Sequence, residues 1–475
     1  MTTAASSAAS SRPLLWLVAI GFFMQTLDAT IVNTALPAMA RSLGESPFRM
    51  QTVVVAYALT MAVVIPATGW LAERFGTQRI FMLAIALFTA GSAACAASGN
   101  LNQLVAARVL QGVGGAMLLP VGRLAVLKLI PKDRFLEAMS FVAIPGLIGP
   151  LIGPTLGGWL VEVASWHWIF LINIPVGLLG LAAARRYMPN LRSEEHERLD
   201  TSGYLMLVVA MVGISLAMDG LGGLGLGHSL VVLLMVGGMA ALSAYWLHAL
   251  RNPRPLFSPA LFRIQSYRVG LLGNLFARIG SGAMPYMVPL LMQLVMGFSP
   301  AQAGMLMLPM ALAGMGAKRV VTVVILRWGY RRVLMVNTLL LGLLIASFAL
   351  MWPGQPLWLR VVQMAVFGAV NSVQFTAMNT VSLKDLAPAQ AASGNSLFSM
   401  VQMLGMSLGV TCASALLHAF SDWLGTGTGA DALPAFRAAL VAIGLMTMAS
   451  AAIFWQLADE RQPHRTPPDG PEPGQ

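Results

Sequence analysis

The sequence predicts an all-α integral membrane protein with two six-helix halves and two further helices inserted between them, about fourteen spanning helices in all. Three observations predict it. Hydrophobic residues make up 57% of the 475 residues and charged residues only 10%, where a soluble domain carries about 25% charged residues. Apolar runs of about 20 residues, long enough to cross a bilayer, recur along the chain. Two anchors also repeat at one displacement. Ser46-Pro47 returns as Ser299-Pro300 and Glu73–Phe81 (ERFGTQRIF) as Leu326–Leu334 (LRWGYRRVL), 253 residues on in both cases (Pro47 to Pro300, Gly76 to Gly329).

The chain opens with a small polar segment, 1–13, whose single charge is Arg12. The run that follows, 14–37, is too long for the apolar core of a signal peptide and contains an acid, so it reads as a membrane helix. Five more spans, at 50–71, 80–98, 103–127, 138–162 and 167–184, complete a first half over 14–184. A charged loop, 185–201, ends in Asp200 and Thr201, which can cap the next helix. Two spans, 202–220 and 229–249, form the inserted pair over 202–249, and a linker runs over 250–267. The second half, 268–456, holds spans at 268–296, 301–326, 332–352, 357–381, 394–420 and 434–456. The Pro-rich tail, 457–475, reads as disordered and cytoplasmic. The repeat therefore shifts by eight helices, which is what two inserted helices require. Parallel halves related by an axis along the membrane normal are a transporter architecture, with the substrate site between them near the midplane.

Lysine and arginine set the orientation. With the N-terminus inside, the inner segments hold Arg74, Arg79, Lys128, Arg185, Arg186, Lys318, Arg319, Arg331, Arg332 and others, and the outer segments only Arg41, Arg49, Arg360 and Arg437. Both termini are thus expected in the cytoplasm. The same bias accounts for the net charge of +11; there is no basic patch with interleaved aromatics, so no nucleic-acid partner is expected. Cys95 and Cys412 both fall in apolar runs and show no disulfide or metal spacing. No G-x-x-x-x-G-K-[ST] loop, nucleophile–base constellation or metal cluster appears, so neither an enzyme, a metal site nor a cofactor is expected.

Asp28 lies well inside the first span, where a carboxylate is costly and faces a protein interior or a watery cavity. It is either a fixed structural acid or a proton-exchanging one. Arg108, in the fourth span, lies within a few ångströms of the same depth on a 1.5 Å rise per residue, so the two can pair, fixedly or reversibly. The fifth span carries Gly146, Gly149, Gly153 and Gly157 on one face, with Pro150 and Pro154. Small residues let helices approach closely, and the reading is tight packing or a dry seal between moving halves. Gly69–Arg79 (GWLAERFGTQR) joins the second and third spans; Gly76 permits the turn, and Glu73, Arg74 and Arg79 are candidate gate pairs. Arg278 lies mid-span in the ninth helix, one turn from Ser281, the position the repeat matches to Asp28. That places Asp28 and Arg278 on opposite walls of a central cavity, with Gln25, Asn33, Asn274 and Gln374 among the residues lining the path. Asp219, ending the seventh span, is expected to reach water.

These motifs together resemble the major facilitator superfamily, and within it the fourteen-helix drug:proton antiporter group. Leu27–Pro37 (LDATIVNTALP) matches that group's first-helix signature, and Gly69–Arg79 its loop motif, with Glu73 where aspartate is commoner and Gln78 where a base often stands. Arg108, Gln111, Gly112 and Gly115 fit the fourth-helix motif, which adds Gln111 to the cavity set. Gly149-Pro150 and Gly157-Gly158 fit the antiporter motif of the fifth helix, and Trp166–Gly177 (WHWIFLINIPVG) is characteristic of the group. The resemblance implies the major facilitator fold and export driven by inward proton flow. The expected function is a monomeric, proton-coupled exporter of amphiphilic drugs across the bacterial inner membrane by alternating access. Its partners are a small-molecule substrate, protons and the lipid bilayer. The alternative is an exporter of small organic anions, such as carboxylates or their metal chelates, because the spans hold three arginines against one deep acid. A receptor is disfavoured, since neither the 185–201 loop nor the tail is large enough for an output domain.

Overall fold

A computed structural model describes residues 2–130, 132–192, 199–220, 227–427 and 429–457. Apart from Leu457, the expected tail lies outside the described residues, as do 193–198 of the charged loop. Every long element is an α-helix. In the first half these are α1 (Thr2–Leu43), α2 (Gln51–Phe75), α3 (Thr77–Ala96), α4 (Leu101–Leu129), α5 (Lys132–Val163), the short α6 (Trp168–Leu171) and α7 (Asn173–Tyr187). The inserted pair is α8 (Thr201–Gly220) and α9 (His228–Arg251). The second half has α10 (Gln265–Leu294), the short α11 (Pro300–Leu306), α12 (Leu308–Ser347), α13 (Leu357–Leu383), α14 (Pro388–Leu424) and α15 (Leu433–Phe454). Helix α1 begins inside the segment expected to be a tail.

Thirteen stretches among the described residues are long and apolar enough to cross a membrane. One of them, Pro300–Leu350, runs 51 residues and contains a non-helical glycine, Gly329, at φ 75°. At 1.5 Å per residue that length exceeds twice a hydrocarbon core of about 30 Å, so it is long enough to cross twice, which matches the fourteen expected crossings. Gly329 sits where the repeat places it, opposite Gly76. Gly76 ends α2 at φ 97°, a conformation that a side chain strongly disfavours, and any Cβ there would also strike the Asn190 side chain. Asp200 caps α8 as expected, its Oδ1 accepting the Gly203 N–H at 3.0 Å.

The two halves are built alike. Helix α1 packs along α5 as α10 packs along α14, and α3 pairs with α4 as α12 pairs with α13. We call the end holding the Gly76 and Gly329 turns proximal and the end holding Pro47 and Pro300 distal. A hydrophobic core at the distal end runs across both halves, from Phe48, Met50 and Leu160 to Tyr286, Leu306 and Phe436. Hydrogen bonds joining the halves among the described residues lie at that end too. Gln293 donates to Thr34 O (2.9 Å), Thr155 to Gly304 O (3.1 Å), and Ser299 to Glu162 Oε2 (2.9 Å). The molecule is therefore closed distally.

The glycines of α5 make that closure possible. A Cβ at Gly146, Gly149, Gly153 or Gly157 would strike Phe22, Thr26, Thr30 or Ile31 of α1. One residue round the helix, Gly158 faces the other half, against the Pro300 carbonyl; Gly304 reciprocates against the Pro154 carbonyl. Pro145, Pro150 and Pro154 stay within a continuous α5, so this helix touches α1 on one face and α11 on the next.

Candidate functional site

Asp28 and Arg108 meet. Arg108 Nη1 lies 2.6 Å from Asp28 Oδ2, and each residue is 1% exposed. The other carboxylate oxygen accepts from Gln111 Nε2 at 2.8 Å and Asn173 Nδ2 at 3.2 Å. Ser92 Oγ accepts from both of those amides, at 2.8 and 3.2 Å. Arg108 also donates within the same half, from Nη1 to Gln111 Oε1 (2.6 Å) and from Nε to Val53 O (3.3 Å), and its guanidinium lies 4.1 Å over the Tyr57 ring. Five helices, α1, α2, α3, α4 and α7, thus contribute to one buried, hydrogen-bonded ion pair. Such a pair holds an ionised carboxylate where a lone one would be prohibitively costly.

This corrects one detail of the sequence reading. Asp28 was expected on the wall of a cavity between the halves, but all its partners belong to the first half and it sits inside that half. Gln111 sits there with it, holding Asp28 rather than facing outward. Sequence reasoning missed three participants. Asn173 lies in the Trp166–Gly177 stretch already singled out, so a signal for it existed. Ser92 and Tyr57 are each one of several polar residues in an apolar helix, and nothing in the linear pattern sets them apart.

The second half has no matching ion pair among the described residues. Arg278 is half-buried; its Nε donates to Asn274 Oδ1 at 3.1 Å and its guanidinium lies 4.7 Å over the Phe375 ring. Three of the expected path residues keep a buried polar atom without a partner: Gln25 Oε1, Asn33 Oδ1 and Asn274 Nδ2. Asn33 Nδ2 reaches back to its own helix, at Thr30 O (3.4 Å). Gln374 is elsewhere, in the interior of the second half, donating to Thr338 Oγ1 (2.7 Å) and accepting from Asn337 Nδ2 (2.8 Å).

The proximal loop is tied to its own half. Thr77 Oγ1 donates to Pro189 O (2.7 Å) and Gln78 Nε2 to Arg185 O (3.0 Å), both at the end of α7. Glu73, Arg74 and Arg79 form no ion pair among the described residues. Arg74 lies over the Trp70 and Phe75 rings instead, at 5.1 and 5.7 Å. Gly69 has open space around it. Asp219, expected at water, is 3% exposed, because Gln51 of α2 covers it and donates to Oδ1 at 2.8 Å.

Two alike halves around buried polar groups, closed at one end, describe a carrier. The family model of the Major Facilitator Superfamily matches residues 18–410. The chain belongs to the major facilitator superfamily. As a member of it, the protein is a multi-pass membrane transporter and not an enzyme. It is 55% identical over 413 residues to a protein of Serratia proteamaculans (strain 568) named "Putative multidrug resistance protein MdtD", covering 87% of this chain and 86% of that one. An Escherichia coli (strain SMS-3-5 / SECEC) protein of the same name is 53% identical over 415 residues, covering 87% and 88%. Among solved structures, a POT family transporter in complex with 5-aminolevulinic acid superposes with a TM-score of 0.69 at 17% identity, covering 94% of this chain and 95% of that one. The human organic anion transporter MFSD10 superposes with a TM-score of 0.60 at 14% identity, covering 94% and 99%. At those identities the likeness is one of fold.

Proposed function

We propose that this superfamily member is a proton-coupled exporter, an antiporter, of small amphiphilic compounds including drugs, working by alternating access across the bacterial inner membrane. The observation that carries the reading is the buried Asp28–Arg108 pair, closed off by Gln111 and Asn173. A proton arriving on Asp28 releases Arg108, and re-forming the pair expels the proton; that is the elementary step of a proton-driven carrier. The names of the relatives support the drug class.

The lysine and arginine bias supports cytoplasmic termini, so the proximal end faces the cytoplasm and the distal end the outside. The molecule is then shut to the outside with Asp28 paired with Arg108, ready to take substrate from within. The glycine face of α5 (Gly146, Gly149, Gly153, Gly157, with Gly158 toward α11) supplies the dry seal, and Pro150 and Pro154 shape it. Gly69, Glu73, Arg74, Gly76 and Arg79 form the cytoplasmic gate, whose charges pair when that end closes. Gln25, Asn33 and Asn274 offer substrate their unpartnered polar atoms. One chain supplies both halves, so a monomer is the working unit.

The test is reconstitution in liposomes with an imposed pH gradient and a cationic dye. Asp28→Asn is expected to keep dye binding and lose pH-driven export; undiminished export by that variant would remove Asp28 from the mechanism. A second reading, export of small organic anions, is favoured by Arg278, which has no carboxylate partner among the described residues. Arg278→Ala should then lose transport of an organic anion while transport of the dye persists, and equal anion transport by variant and parent would sink it.

A further inference from the structure

A second buried acid stands apart from the Asp28 network. Asp219, near the distal end of α8, is held by Gln51, itself 0% exposed, through a 2.8 Å hydrogen bond. Polar atoms around it are left over: Gln51 Oε1 has no partner, nor does Ser215 Oγ, one turn earlier on α8. Across the seam, α14 sets Ser407, Thr411, Ser414 and His418 at spacings of four, three and four, one stripe of a helix. Ser407 Oγ and Thr411 Oγ1 are likewise buried without partners. Ser414 Oγ and the Tyr286 hydroxyl both donate to Phe48 O, at 3.1 and 3.4 Å, and the His418 ring packs edge-on against Phe48 at 5.4 Å. First half, inserted helix and second half therefore meet at one polar seam at the distal end.

The charged and titratable groups around Asp219 are few. Among them are His418 of α14 and Tyr286 of α10. Asp422 follows His418 by one turn of α14 at the surface, His228 opens α9 at the surface, and Arg49 before α2 pairs with Glu45 at 2.7 Å. Asp28 has an arginine; Asp219 has a neutral amide. Withdrawing a carboxylate from water without a cation is far costlier than withdrawing the neutral acid.

We propose that Asp219 is a second proton-exchanging group, whose proton is taken from the distal compartment as the seam closes and returned to it as the seam opens. The step balances: the carboxylate and one hydronium give the acid and one water on closing, and the reverse on opening. The proton therefore couples the seam to distal pH without crossing the membrane. The role rests on the alternating-access reading above, but not on Asp28 being its proton carrier.

The test is a distance measurement, which needs no transport. Spin labels on Arg41→Cys and Trp423→Cys report the distal ends of α1 and α14, both exposed, in a Cys95→Ala/Cys412→Ala background in lipid nanodiscs. Between about pH 5 and pH 9 the parent is expected to shift from the short to the long distance. Asp219→Asn should stay short throughout, with the long-distance fraction down about tenfold at high pH, while Asp28→Asn keeps the shift. Gln51→Leu, which deprives the carboxylate of its donor, should move the midpoint to higher pH, and it keeps the proposal testable if Asp219→Asn fails to fold. A parent that does not titrate, an Asp219→Asn variant that titrates like the parent, or an unmoved midpoint in Gln51→Leu overturns the proposal. So does a shift lost in His418→Gln but kept in Asp219→Asn, which assigns the proton to the histidine. Failure of Asp28→Asn to impair export would remove the proposed coupling residue and leave this result standing.

Discussion

Removing either charge of the Asp28–Arg108 pair should cost more than removing both. In Asp28→Asn the guanidinium, 1% exposed, keeps Gln111 Oε1 at 2.6 Å, Val53 O at 3.3 Å and the Tyr57 face, but loses its anion. Breaking a buried pair from one side costs about 3–5 kcal/mol, and the neutral acceptors that remain put this variant near the lower figure. Arg108→Leu leaves the Asp28 carboxylate with two neutral donors, Gln111 at 2.8 Å and Asn173 at 3.2 Å, and belongs at about 4 kcal/mol. The double variant buries no charge and retains an asparagine that Gln111 and Asn173 can still hold, so its cost should be about 2 kcal/mol rather than the sum. The assay is reversible denaturant unfolding in mixed micelles, read as a double-mutant cycle, with liposome transport alongside. The expected outcome is a coupling above about 2 kcal/mol, with stability recovered in the double variant and transport still lost. Costs that simply add would show that the pair is not an energetic unit, and the argument that its making and breaking drive transport would fail with it.

Three further outcomes follow from the same geometry. Gly153→Val pushes a branched side chain into Thr30 of α1, and should lower unfolding stability in the same assay by about 1–3 kcal/mol and abolish transport. Gly158→Ala instead crowds the Pro300 carbonyl across the seam, so folding stability should hold while the distal spin-label distance lengthens at constant pH. Asp200→Ala should cost about 2 kcal/mol, from a lost helix cap and lost bonds to the His248 ring (2.8 Å) and the Leu256 N–H (3.2 Å). Burial pushes the Asp200 carboxyl up, but the Gly203 N–H, the His248 bond and the Leu256 N–H outweigh it and hold it below the ordinary carboxylate range. A depressed folded value means that its stabilisation is complete above about pH 4 and is lost as pH falls through the folded value, so parent and variant unfolding curves should converge only in strong acid.

The Asp28–Arg108 pair was legible because helix rise converts sequence position into depth, and two charges at one depth in an apolar medium have few alternatives to each other. The fourteen crossings were legible for a similar reason: composition and length decide them. Direction around a helix is harder to read. The repeat sets Arg278 one turn from the counterpart of Asp28 and so suggests a shared cavity, yet the azimuth of Asp28 turns it toward α3 and α7, where Ser92 and Asn173 wait. Asp219 was assigned to water because it ends its span; Gln51 covers it, a residue 168 positions away that no local pattern links to it. Gln374 is polar and mid-span like the other path residues, but it answers to Thr338 and Asn337 within its own half.

Helix α2 shows why the inserted pair matters to the carrier. Its Val53 carbonyl accepts from Arg108, its Gln51 side chain holds Asp219, and its Val63 carbonyl accepts from Tyr204 of α8 at 3.1 Å. The two grips of α8 on α2 are twelve residues apart, about 18 Å of helix. Two bonds at that separation fix the tilt of α8 against α2 as well as its position. The Ser407–His418 stripe of α14 belongs to the second half, and on the alternating-access proposal it slides past α2 as the halves rock. On that reading Asp219 travels with α2, whose Val53 carbonyl also joins the network around Arg108 of α4. One helix, holding Asp219 through Gln51 and Arg108 through the Val53 carbonyl, is where a change at either site can reach the other.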